Sequence, residues 1–84
     1  MRVVKLGKRF VLARRGYTHA FRFDSWSKEA HQIETILREL YPDSLWMNGD
    51  WATYYGKQDR YTSQRPYWIG VRKETDITRI LLKL

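Results

Sequence analysis

The sequence contains no cysteine and, among its 84 residues, only two prolines. Without cysteine, neither a disulfide nor a thiolate metal site can stabilise the fold, and we expect a cytoplasmic protein of a reducing compartment. Apolar runs are only a few residues long, whereas a membrane-spanning helix needs about 20 apolar residues. Hydrophobic residues make up 43% of the chain, which is enough for one core. The sequence therefore predicts one compact domain over residues 1–84, with no membrane segment.

Acidic residues are missing from the first 23 positions, which carry seven lysines and arginines. From Asp24 to Asp50 the balance is reversed, with six acids and two basic residues, and the C-terminal part is basic again. A net charge of +7 and an isoelectric point near 10.0 favour acidic partners, nucleic acid among them. If the two basic ends lie together, one face of the domain is electropositive. The alternative is that the charges are scattered over the surface for solubility.

Residue types that carry catalysis or bind metals are sparse. The two histidines, His19 and His31, fall on different predicted elements, and no cysteine or serine nucleophile motif accompanies them. Two isolated histidines do not form a metal site of recognisable spacing, and the five glycines stand apart from one another. The sequence thus predicts no enzyme, no catalytic residue, no metal site and no cofactor.

Alternating side chains near the N-terminus predict a β-hairpin. Residues 8–15 and 18–24 are predicted as its strands, joined by a tight turn at Gly16, because glycine accepts a positive φ. Residues 51–55 and 67–72 are predicted as a second pair of strands around a long polar loop, 56–66.

Apolar residues recur at steps of three and four from Trp26 to Tyr41 and predict a helix. Asp24 or Ser25 would cap its start, and Pro42 would end it. A connection follows over 43–50, with Leu45, Trp46 and Met47 tucked beneath it and a turn at Asn48-Gly49. The C-terminal segment is predicted as a short helix capped by Thr75 or Asp76, although its alternation also permits a strand. Four aromatic residues are assigned to the core: Phe21, Phe23, Trp26 and Tyr41.

The resulting order, β-β-α-β-β-α, predicts an α+β fold in which an antiparallel sheet of two hairpins has its helices on one face. The other face is predicted to be open. Alternation assigns these outward positions to it: Arg9, Val11, Ala13, Arg22, Trp68, Gly70 and Arg72, with Arg15 and Tyr54. Arginines beside exposed aromatic rings suit the phosphates and bases of a nucleic acid.

We therefore predict a small, non-catalytic module that binds DNA or RNA through a basic hairpin and a sheet face. The predicted contact residues are Lys8, Arg9, Arg14, Arg15, Arg22, Arg60, Arg65, Trp68 and Arg72. The alternative is a protein-binding adaptor or inhibitor, of a kind that a virus or mobile element encodes, which docks on an acidic protein surface. An aromatic sheet face also permits a homodimer.

The predicted order ends in a strand followed by a helix, over the stretch Tyr67-Trp68-Ile69-Gly70-Val71-Arg72-Lys73-Glu74-Thr75-Asp76-Ile77. In its element order the chain resembles half of a LAGLIDADG homing-endonuclease domain. The resemblance implies a basic sheet face that holds DNA. The signature helix of that family, with its metal-binding acid, is missing from this sequence, so the resemblance implies binding without cleavage.

Overall fold

The computed structural model describes residues 1–44 and 49–84. These residues form four strands and three helices. In chain order they are β1 (Arg2–Lys5), α1 (Val11–Arg14), β2 (His19–Phe23), α2 (Lys28–Leu40), β3 (Trp51–Tyr55), β4 (Tyr67–Val71) and α3 (Glu74–Lys83). The predicted connection through Leu45, Trp46, Met47 and Asn48 lies outside the described residues. The α+β class is confirmed, whereas the order is β-α-β-α-β-β-α and differs from the predicted one.

The four strands form one antiparallel sheet in the order β1-β2-β4-β3. The predicted hairpin of 8–15 with 18–24 is wrong, because β2 pairs instead with β1 at the start of the chain and with β4 on its other side. Since β1 occupies the edge position beside β2, the segment that follows β1 is free to leave the sheet. It forms the single turn α1 and crosses over one face.

Helix α2 lies where the apolar stripe predicts it. Its N-cap is Ser27, whose side chain accepts a hydrogen bond from the Ala30 amide at 3.4 Å. The predicted caps Asp24 and Ser25 are therefore wrong, since both residues lie before the helix. Trp26 also precedes the helix and is 48% exposed, so its assignment to the core is wrong too.

The main core lies between the sheet and the two longer helices, α2 and α3. It contains, among others, the buried residues Phe21, Ile33, Leu37, Ile69 and Ile80. The C-terminal segment is a helix, as predicted, but it begins two or three residues earlier than expected, with Lys73 as N-cap. The predicted caps Thr75 and Asp76 lie inside the helix. None of the helices in the described residues is long and apolar enough to cross a membrane.

The opposite face of the sheet was predicted to be open, and it is partly covered by the segment that contains α1. Leu12 and Tyr17 from this segment are almost fully buried, with exposed fractions of 0% and 1%. They pack over Gly70 of β4, where an added Cβ would lie 2.9 Å from Leu12 Cδ1. A glycine in the middle of a strand is needed here because the side chain of Leu12 occupies the space above it.

Arg72, directly after β4, connects this covering segment to the sheet. Its guanidinium donates hydrogen bonds to the carbonyls of Arg15 (2.9 Å) and Gly49 (2.8 Å) and lies 4.3 Å from the centre of the Tyr17 ring. Gly16 adopts φ 95°, and a Cβ at this position would overlap Arg72 Nη1. The left-handed backbone favours glycine here, and a larger residue would also displace the guanidinium.

Candidate functional site

Four side chains form a row across the face of the sheet that carries α1. Arg2 is paired with Arg22, Arg22 with Trp68, and Trp68 with Tyr54, so the row crosses all four strands. The Arg22 guanidinium carbon lies 5.5 Å from the centre of the Trp68 ring, and the rings of Trp68 and Tyr54 are 5.7 Å apart. We call these four residues the arginine–aromatic row.

Phe10 packs against the aromatic half of the row. Its ring centre is 5.0 Å from that of Trp68 and 5.4 Å from that of Tyr54. All three rings are half-buried, so Trp68 and Tyr54 are held in place rather than freely exposed. The aromatic half therefore acts as a rigid support against which Arg22 is laid.

Asp24 contacts the row from the end of β2. Its carboxylate is 3.2 Å from the Arg22 guanidinium, and its side chain is 78% exposed, against 25% for Arg22. An ion pair that is open to water on the carboxylate side contributes little to stability. An incoming anion can therefore compete with Asp24 for Arg22.

Four other predicted contact residues belong to the segment that covers this face. Lys8 and Arg9 directly precede Phe10, and Arg14 and Arg15 end α1 and follow it; all four are exposed. The structure thus brings these four residues and Arg22 to the same side of the sheet. This arrangement does not involve the predicted hairpin, because residues 8–15 do not form a strand.

The remaining predicted residues lie elsewhere. Arg60 and Arg65 belong to the loop between β3 and β4, which joins the end of the sheet that carries the row. Arg65 donates to the Gly56 carbonyl at 3.0 Å and lies over the Tyr55 ring at 4.8 Å. Arg72 was predicted to be an outward-facing contact residue, but its guanidinium is held by the carbonyls at the other end of the sheet.

The loop itself presents an aromatic side chain at its tip. Tyr61 is 97% exposed. The Asp59 carboxylate accepts hydrogen bonds from the amides of Tyr61 (2.7 Å) and Thr62 (3.4 Å), and the Asp59 amide donates to the Gln64 carbonyl at 2.8 Å. These bonds order the tip, so Tyr61 is displayed on a defined turn.

Sequence reasoning missed two residues of this site, Arg2 and Phe10. Arg2 was not assigned to any strand, although the short alternation of Val3 and Val4 with charged neighbours is a strand signal. Phe10 lies in the stretch 8–15, which was predicted as a strand, so its packing onto Trp68 and Tyr54 from the covering segment was not foreseen.

Charge is separated between the two faces. The first 23 residues, which have no acid, supply β1, α1 and β2, including the segment over the row. The acidic stretch supplies α2, which packs on the opposite face with α3. The face with the row is therefore the more positive one, with Asp24 as the acid beside it.

Two tyrosines on the helical face donate to carboxylates. The Tyr67 hydroxyl donates to Glu34, which is 7% exposed, and the Tyr41 hydroxyl donates to Asp76 at 2.7 Å. Burial and the bond to Asp76 raise the pKa of Tyr41 from 10.0 to about 12. Burial and the bond to Glu34 likewise raise the pKa of Tyr67 above its usual value. Both tyrosines are held in their neutral form.

These two raised pKa values predict a loss of stability in alkali. The neutral tyrosine is favoured in the folded state, so the contribution of Tyr41 is complete below its unfolded pKa of 10.0 and is lost as the pH rises through about 12. We expect urea unfolding curves to shift to lower urea over this range. In Tyr41→Phe the remaining shift should be smaller, and the variant should be less stable at neutral pH because Asp76 loses its donor.

The control is Tyr61→Phe, since Tyr61 is 97% exposed. It should keep the alkaline shift of the wild-type protein. An equal shift in Tyr41→Phe and in the wild-type protein would show that the Tyr41–Asp76 bond does not couple stability to pH.

Comparison with known proteins finds no match for this chain among family models, curated proteins or solved structures. The resemblance to the LAGLIDADG family depended on the order β-β-α-β-β-α, and the observed order differs from it. That resemblance therefore contributes nothing further to the assignment of the site.

Proposed function

We propose that this domain binds nucleic acid without catalysis, through the face that carries the arginine–aromatic row. The observation that supports this proposal most directly is the separation of charge. The row and its covering segment come from residues without an acid, while the acidic helix α2 lies on the opposite face. A polyanion approaching this domain is attracted more strongly to the face with the row than to the helical face.

Phosphate contacts supply most of the affinity in this proposal. Arg22 offers a planar guanidinium that is already oriented by Trp68, so little side-chain freedom is lost when a phosphate displaces Asp24. Arg15 lies near the other end of β2, where its carbonyl accepts a hydrogen bond from Arg72. One strand of nucleic acid can thus contact both arginines, and its sequence is not read by such contacts.

Stacking is assigned to the loop rather than to the row. Because Trp68 and Tyr54 are half-buried, they have little free ring surface. Tyr61, by contrast, is fully exposed next to Arg60, on a loop that leaves the sheet one residue after Tyr55. A base that stacks on Tyr61 would extend the contact beyond the arginines.

A salt titration tests the proposal. Fluorescence anisotropy with labelled single-stranded DNA, single-stranded RNA and duplex DNA of about 20 nucleotides should show binding at low salt. The logarithm of the affinity should fall linearly with the logarithm of the salt concentration, with a slope of about 0.7–0.9 for each phosphate contacted. If no oligonucleotide binds at 50 mM salt, the proposal is wrong.

A second candidate function is binding to an acidic surface of a larger protein. It is favoured by three exposed aromatic side chains, Trp26, Tyr55 and Tyr61, since tyrosine and tryptophan often anchor protein interfaces. A pull-down from cell extract with and without nuclease separates the two functions. One stoichiometric protein that survives nuclease treatment favours the adaptor or inhibitor. Loss of all partners on nuclease treatment favours nucleic acid.

A further inference from the structure

A polar cleft opens on the helical side of the domain, away from the arginine–aromatic row. It has a volume of about 310 Å³ and lies between α2, β3, β4 and the residues that follow α2. Its lining includes Glu34, Arg38, Tyr41, Trp51, Thr53 and Tyr67. This volume is at the lower end of the range of small-molecule sites, about 300–1,000 Å³.

Glu34 lines the cleft with a buried carboxylate. Its residue is 7% exposed, and its side chain accepts a hydrogen bond from the Tyr67 hydroxyl. Within residues 1–44 and 49–84 it has no cation within 4.0 Å. A carboxylate has sites for about four hydrogen bonds, and a buried one is stable only when donors reach it. A molecule bound in the cleft can supply further donors to this carboxylate.

The other walls of the cleft suit a flat ring. Trp51 is half-buried, and the Arg38 guanidinium carbon lies 5.9 Å from the centre of its ring. The rings of Tyr41 and Tyr67 also line the cleft. A planar molecule can stack on these surfaces while its edge reaches Glu34.

We infer that the cleft binds an uncharged planar ring with two adjacent N–H donors, of which guanine is the common biological example. The N1–H and the exocyclic amine of guanine would donate to Glu34, and its ring would lie against Trp51. A guanidinium or amidine offers the same pair of donors. However, Arg38 at the cleft and the net charge of +7 repel a cation. The inference does not depend on the proposed function, since the cleft and the row lie on different faces.

Titration with free nucleosides tests this inference. Calorimetry with guanosine should give a dissociation constant in the millimolar range or below. Inosine, which lacks the exocyclic amine, and adenosine should each bind about tenfold more weakly or worse, because Glu34 then loses one or both donors. Equal binding of guanosine and adenosine, or no binding of guanosine at millimolar concentration, would overturn the inference. Tighter binding of arginine amide than of guanosine would also overturn it.

The matched variants are Glu34→Gln and Glu39→Gln, which remove the same charge from the same helix. Glu39 is exposed, so Glu39→Gln should bind guanosine like the wild-type protein. Glu34→Gln should bind it at least tenfold more weakly, because an amide cannot accept both donors. Unchanged binding in Glu34→Gln contradicts the inference.

Glu34→Gln also changes the partner of Tyr67, so its folding must be checked by circular dichroism. If the variant does not fold, the inference is tested on the wild-type protein by following its backbone-amide and indole NMR signals during a guanosine titration. Guanosine should shift the signals of Trp51, Thr53 and Glu34. Shifts that avoid these three residues contradict the inference. Oligonucleotide binding at the row is measured separately, so failure of either idea is distinguishable from failure of the other.

Discussion

Arg72→Ala is expected to lower the free energy of unfolding by about 3 kcal/mol. The variant loses two charge-assisted hydrogen bonds, to the carbonyls of Arg15 and Gly49, and the contact with the Tyr17 ring. Bonds of this kind contribute about 1.5–3 kcal/mol each, and a cation–π contact about 0.5–1 kcal/mol. The expected total is slightly below the low end of their sum, about 3.5 kcal/mol, because Arg72 is only half-buried. Urea unfolding monitored by circular dichroism measures the change.

Two further variants make this expectation specific. Arg72→Lys keeps the charge, but one ammonium group cannot reproduce the fork that reaches both carbonyls, so about half of the loss should remain. Arg60→Ala removes an exposed arginine from the loop and should stay within about 0.5 kcal/mol of the wild-type protein. Wild-type stability in Arg72→Ala would mean that the contacts of Phe10, Leu12 and Tyr17 hold the covering segment to the sheet without Arg72.

The triple variant Arg14→Gln/Arg15→Gln/Arg22→Gln is expected to weaken oligonucleotide binding by roughly 100-fold at 0.1 M salt. Each phosphate contact to a single strand contributes about 0.7 to the salt slope, so three lost contacts reduce the affinity by about two decades relative to 1 M salt. The slope of the salt dependence should decrease by about 2 at the same time. Anisotropy titrations over a series of salt concentrations measure both quantities.

Lys28, Lys83 and Arg79 provide the matched control, since all three are exposed on α2 or α3. Their triple replacement by glutamine removes the same net charge from the helical side of the domain. It should weaken binding only slightly, through long-range attraction. Equal losses in the two triple variants would show that binding follows total charge and not the face with the row. Thermal melting should show that both variants remain folded, because none of the six side chains lies in the core.

The local sequence pattern predicted those elements in which apolar residues recur regularly over several positions. The apolar stripe of α2 recurs over three turns, and its buried residues Ala30, Ile33 and Leu37 lie at the expected spacing. β2, β3 and β4 also lie where alternation places them. In each case the signal extends over at least five residues and agrees with the burial that the fold finally imposes.

The first 18 residues show where local patterns fail. Phe10 and Leu12 are two positions apart, which fits one face of a strand. In the structure Phe10 is instead the extended N-cap of α1, and Leu12 lies in its first turn. The choice is made by β1, because its pairing with β2 takes the position that a hairpin partner would need. That pairing is a tertiary contact. No propensity of residues 8–15 encodes it.

The candidate site divides in the same way. The side chains of a strand alternate between the two faces of the sheet, so Arg22 points to the face opposite that of Phe21 and Phe23. Its outward direction was therefore predictable from the sequence. Its position beside Trp68 depends on the pairing and register of β2 with β4, which are 44 residues or more apart in sequence and are joined by antiparallel hydrogen bonds. Arg72 is also an arginine, and alternation along its segment assigns it to the same face as Trp68 and Arg22. It is bound instead by carbonyls from residues 15 and 49.

The sequence by itself determined how charge is distributed along the chain, with an acid-free start and an acidic middle. The tertiary structure placed the acid-free covering segment on one face of the sheet and helix α2 on the other. Only the tertiary structure decided which basic side chains are available to a partner, because an arginine binds whichever acceptors lie within its reach. The strand order β1-β2-β4-β3 places Arg72 beside backbone carbonyls, which bind it. The same order places Arg22 beside Trp68 and an exposed carboxylate that an anion can replace.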